Sequence, residues 1–172
     1  HTKRRYATMA MNTLKDLYID QLQDMYSADK QSLAVTKKLH EAATDSKLKD
    51  ALKNGTEGIQ QGMETLEGLI KGHGADPTGE HCKGMEGLVK EAKAHTLDED
   101  FGDDDVRDAS IITQYQRMTH YGIAGYGCVV AFAKRLDLDD DARKLQKCLD
   151  STYHGDEEMT KIANDTVNKA AV

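Results

Sequence analysis

Residues Leu17–Leu33 read LYIDQLQDMYSADKQSL. Counting by threes and fours from Tyr18 selects Leu22, Met25, Asp29 and Leu33, and the next step reaches Thr36. This is the apolar stripe of a helix with one buried face, since a half-buried strand would alternate every second residue. One carboxylate, Asp29, sits in the stripe. An isolated buried charge is far too costly, so an acid facing a core must be hydrated, hydrogen-bonded, paired with a cation or bound to a metal ion. The neighbours expected to hydrogen-bond Asp29 are Tyr26, Tyr115 or a water molecule.

The same period recurs along the chain. The first helix is predicted over residues 11–43, and Ala43-Thr44-Asp45-Ser46 then offers a break and a new N-cap. A second helix carries Leu48, Leu52, Ile59, Met63, Leu66 and Ile70 inward and stops at Lys71-Gly72-His73-Gly74-Ala75-Asp76-Pro77. A connector of residues 77–103 holds the short amphipathic piece Met85–Ala92 and an acidic run whose end suits a helix N-terminus. The third long helix, residues 104–136, turns Ile112, Tyr115, Met118, Thr119, Gly122, Tyr126, Val129 and Ala133 inward. A fourth extends to about residue 170, with Leu145, Leu149, Thr152, Asp156, Met159, Ala163 and Val167 on its stripe. Gly122, Gly125 and Gly127, inside the third helix, imply close helix packing. Two helical hairpins joined by a long crossover define an all-α, ferritin-like four-helix bundle with a short extra helix in the crossover. One proline, two phenylalanines and no tryptophan leave little material for a β-rich core.

Among 172 residues, 23 are basic and 30 acidic, giving a net charge of -7. A chain so acidic lacks the positive surface that non-specific nucleic-acid binding requires, and no apolar run is long enough for a membrane span. Three cysteines, Cys82, Cys128 and Cys148, form neither a zinc motif nor a disulfide framework, which fits a reducing cytoplasm. Residues 1–10 carry no acid and read as a disordered leader or tag-like extension ahead of a bundle spanning residues 11–170. No Ser-His-Asp or Cys-His arrangement suggests nucleophilic catalysis.

Bundles of this topology can hold metal ions with carboxylates and Glu-x-x-His pairs projecting inward, and hard oxygen ligands with a few imidazoles suit iron or manganese. The candidate ligands are Asp29 on the first helix, Glu57 on the second, and His154 and Asp156 on the fourth. Gln60 stands where a histidine would complete the Glu57 pair, and Asp150 shares a helix face with His154. His120 is expected to make a structural hydrogen bond within its Tyr-rich surroundings.

Four segments, Leu17–Gln31, Cys82–Leu88, Val106–Ala109 and His120–Gly127, occur in the order and spacing of a known family. The chain resembles the YciE/YciF ferritin-like stress proteins of bacteria from Met11 to about Lys169. The resemblance implies a homodimeric bundle, induced under stress, with a candidate di-metal centre and no assigned reaction. It also exposes departures. Asp29 stands where the family usually has Glu, Thr119 and Gly122 where Glu is common, Gln60 where His can occur, and Ser151 and Thr152 where a Glu-Glu pair is found. Two functions follow as expectations: a stress protein binding iron or manganese through the remaining carboxylates, or a metal-free structural or interaction module.

Overall fold

A computed structural model describes residues 10–172. The expected leader therefore lies, except for Ala10, outside the described residues. Helix α1 spans Leu14–Ala42 and α2 spans Ser46–Gly72. The crossover helix α3 runs from Lys83 to Ala92 and continues through a π-helical turn, Lys93–Leu97. Helix α4 spans Asp104–Arg135 and α5 spans Asp139–Ile162. The chain ends in a second π turn, Ala163–Val167, and a last short turn, Asn168–Ala170. The all-helical bundle with a crossover helix is thus the fold. The fourth helix begins at Asp139, inside the acidic run it was expected to follow, and its winding changes after Ile162.

Local chemistry sets the helix ends. At the start of α1, Thr13 Oγ1 accepts from the Asp16 amide while the Asp16 carboxylate accepts from the amide of Thr13, a reciprocal capping box. Asp45 caps α2 by accepting from the Leu48 amide, and Asp103 caps α4 by accepting from the amides of Asp105 and Val106. Helix α2 hands over to the crossover through Gly74, whose φ of 75° is open to glycine at no steric cost.

Apolar side chains gather at the two ends of the bundle. One cluster includes Leu39, Leu48, Leu52, Met85, Ile111 and Met159; the other includes Tyr18, Leu22, Leu66, Ile70, Val129 and Leu145. Polar staples fix each end. The fully buried Asp108 of α4 accepts from Thr44 N at 2.9 Å, Thr44 Oγ1 at 2.7 Å and Asp45 N at 2.9 Å, tying α4 to the turn between α1 and α2. At the opposite end, Asp141 Oδ2 accepts from Tyr18 OH at 2.9 Å and lies 2.7 Å from His73 Nε2. The crossover is pinned between α1 and α4: Cys82 N donates to Ser27 Oγ, Gln31 Nε2 donates to Cys82 O, and Cys82 Sγ lies 2.9 Å from Tyr121 OH, which itself donates to Asp24.

Close packing accounts for one of the three α4 glycines singled out by sequence. A Cβ on Gly125 would overlap the sulfur of the buried Met25, whereas Gly127 has nothing within 4 Å and Gly122 would meet Thr152 only at ordinary contact distance. Gly125→Val is therefore expected to cost about 1–3 kcal/mol by overpacking. Gly127→Ala should stabilise by about 0.5–1 kcal/mol through helix propensity. Thermal melts of the two variants check both signs.

A candidate binding pocket between the helices

Between the two apolar ends lies a pocket of about 640 Å³, lined by α1, α2, α4 and α5 with Met85 of α3, its exposed lining residues all on α2 and α5. Its exposed rim includes Lys144, Lys147, Ser151 and His154. Asp29 lies at its buried end. Tyr126 OH donates to Asp29 Oδ2 at 2.6 Å. Burial pushes the Asp29 carboxyl up to about 7, and this hydrogen bond opposes the rise only in part. Burial next to Asp29 likewise holds the Tyr126 phenol well above its usual value, so it stays a donor. The partner of Asp29 is therefore Tyr126, neither Tyr26 nor Tyr115. One residue is 97 positions from the other, and only the alignment of α1 with α4 brings them together.

The wall contributed by α2 is backbone. Gly55, Gly58 and Gly62 recur at helical spacing on its inner face. A Cβ on Gly62 would stand 2.6 Å from Tyr126 OH and 3.1 Å from Asp29 Oδ2, and a Cβ on Gly55 would overlap Tyr115 OH. These glycines admit the two phenols, and they are the functional residues that sequence reasoning passed over. Three glycines at positions i, i+3 and i+7 of a helix were the available signal, because each carries a propensity penalty near 1 kcal/mol that packing must offset. Burial also raises the Tyr115 phenol, to about 12. Thr36, fully buried and on the same α1 face as Asp29, lines the pocket, and its Oγ1 has no hydrogen-bond partner among the described residues.

The candidate ligands separate. Asp29 and His154 line the pocket, His154 at its exposed rim. Glu57 is exposed and lies outside, because one residue along a helix turns about 100° and its neighbour Gly58 is the one facing in. Asp156 is outside too. Its carboxylate lies 2.9 Å from His120 Nε2 and accepts from Gln116 Nε2 at 3.2 Å, on the side of α5 turned to α4. Asp156 is thus only partly buried rather than core-facing, and His120 bonds an acid of α5 rather than its own Tyr-rich segment. Asp150 accepts from Gln146 on its own helix, and Gln60 is exposed.

Thr119, Gly122, Ser151 and Thr152, the positions at which the resemblance expects carboxylates, all line the pocket with Asp29. The pocket is thus in the expected place with different chemistry. Among the described residues no three His, Cys, Asp or Glu side chains lie close enough to share an ion. A bridged metal pair requires several carboxylates and imidazoles, so this donor set does not fit a resident metal centre.

The fold and the site together define a ferritin-like helical bundle whose inner pocket is lined by hydroxyls, glycines and a single buried carboxyl. Residues 13–172 match DUF892, a domain family of unknown function. The chain is 32% identical to protein YciF of Escherichia coli K12 over 164 residues, covering 95% of this chain and 98% of that one, and it belongs to the YciF family. The structure of the E. coli stress protein YciF superposes with a TM-score of 0.85 at 31% identity, covering 92% of this chain and 99% of that chain. YcfI of Rhodopseudomonas palustris superposes with a TM-score of 0.84, also at 31% identity, over 91% of this chain and 98% of that one. No described helix is long and apolar enough to cross a membrane.

Proposed function

We propose that this chain is a metal-independent stress-response protein, in which the centre of a ferritin-like bundle serves as a small-molecule pocket instead of an iron or manganese site. The observation that carries the reading is the lone buried carboxyl: Asp29 has one oxygen committed to Tyr126, and hydroxyls and glycines replace the other anions a di-metal centre needs. Protein of this composition holds a ligand by hydrogen bonds and shape and performs no oxygen chemistry of its own. The role in stress is supported by the relation to the E. coli stress protein. Cytoplasmic location and a homodimer complete the proposal. Light scattering should then give twice the chain mass of 19.0 kDa.

Anaerobic loading with ferrous or manganous ion, followed by desalting and metal analysis, tests the central point. Far less than one ion per chain is expected, with no oxygen-dependent iron oxidation above the buffer rate. A stoichiometric ion that disappears in Asp29→Asn would overturn the reading.

A further inference from the structure

Three features of the pocket bear on the kind of molecule it takes. The first is a buried carboxyl without a counter-charge: Asp29 receives only the Tyr126 hydroxyl, and no basic side chain of the described residues is paired with it. The second is the unpartnered Thr36 Oγ1, buried in the same pocket. Buried hydroxyls are normally hydrogen-bonded, so an orphan in the lining of a pocket marks a position where a ligand atom or a water completes the bond. Asp29 and Thr36 are seven residues apart on α1, about 10 Å along its axis. The third is the space between them. Tyr115 and Tyr126 touch α2 at Gly55 and Gly62, and between these two contacts Gly58 presents bare backbone whose nearest neighbour is the Ser151 hydroxyl. Ala28, Met85 and Met118 make the remaining wall apolar.

The geometry points to a slender organic cation as the ligand: a primary aliphatic amine whose ammonium group pairs with Asp29 and whose polar far end bonds Thr36. This inference rests on the pocket reading given above and deepens it. An anionic ligand would be repelled by Asp29, and a bare metal ion would lack ligands. An ammonium group supplies three donors at one end, one of them to the free carboxylate oxygen, while a methylene chain fills the apolar middle.

Isothermal titration of the full chain at about pH 8, where Asp29 is ionised, with three probes tests it: 6-amino-1-hexanol, its uncharged counterpart hexane-1,6-diol, and hexan-1-amine. The amino alcohol should bind at least about tenfold more tightly than the diol, and Asp29→Asn should erase that preference by removing the charge partner. Thr36→Val, of nearly the same shape, should weaken the amino alcohol a few-fold and leave hexan-1-amine unchanged. Thermal melts of both variants establish that they are folded. Equal binding of the diol and the amino alcohol, or an amine preference that survives in Asp29→Asn, overturns the cation assignment while the pocket reading stands. Failure of the wild type to bind any probe also overturns the assignment. The metal-loading measurement uses none of these ligands, so the reading beneath it succeeds or fails separately.

Discussion

At about pH 8, Asp29→Asn is expected to be more stable than the wild type by about 2–3 kcal/mol, a rise in melting temperature of roughly 2–4 °C for each kcal/mol in a chain of this size. Asp29 is ordinarily half-ionised at 3.8 and in the folded chain only at about 7. Each tenfold change in proton affinity is worth about 1.4 kcal/mol, so ionising Asp29 inside the bundle costs about 4 kcal/mol. The asparagine avoids this and retains an oxygen for Tyr126, though a weaker acceptor, which trims the gain. The sign with pH follows. The folded state holds its proton more tightly than the unfolded state, so wild-type stability falls as pH rises from about 4 to 7, and the whole penalty is present above that range. Below about pH 4 the carboxyl is neutral in both states, and the advantage of Asp29→Asn should vanish. Tyr126 and Cys148, which face Asp29, are both raised by burial and do not ionise in this window. Melts of both proteins across that range check it; an advantage independent of pH would rule out charge burial as its cause.

Asp108→Ala should act in the opposite direction, with a loss of about 3 kcal/mol. The carboxylate accepts three hydrogen bonds where α1 turns into α2, two of them from backbone amides with no other partner given by that turn. Removing it strands those donors next to the apolar cluster of Leu39, Leu48 and Ile111. Asp108→Asn keeps one acceptor oxygen and should lose about half as much. Asp104→Asn, four residues away with a largely exposed side chain, should stay within about 0.5 kcal/mol of wild type. In urea, Asp108→Ala should lower the midpoint while leaving the slope unchanged.

The fold was legible because its signals are local. The Tyr18-to-Thr36 stripe, the break and new cap within Ala43 to Ser46 and the stop at Lys71 to Pro77 each concern residues within a few turns of one another, and each appears in the structure. Asp29 was legible as a buried acid for the same reason. Its environment was not. Tyr126 reaches it from α4, and the α2 wall is made by the absence of side chains, which a search for ligands passes over. Glu57 and Asp156 carry the right functional groups on the right helices, but their rotation about the helix axis decides whether they face the pocket or a neighbouring helix. Asp108 lay close to an acidic run that sequence alone reads as solvated, and its burial depends on a turn 63 residues upstream.

Helix α2 is anchored near one end by the Asp108 staple and at the other by His73 against Asp141, while between its contacts with Tyr115 at Gly55 and with Tyr126 at Gly62 it turns Gly58 to the pocket. Around Gly58 the backbone hydrogen bonds on the pocket side have no side chain of their own residue to shield them, and the nearest facing atom is the Ser151 hydroxyl. Amides of residues 54–62 should therefore exchange with deuterium faster than those of residues 48–52 or 66–70, although all belong to one continuous helix. A molecule seated between Tyr115 and Tyr126 would cover that stretch, so slowed exchange confined to it would act as a footprint of occupancy.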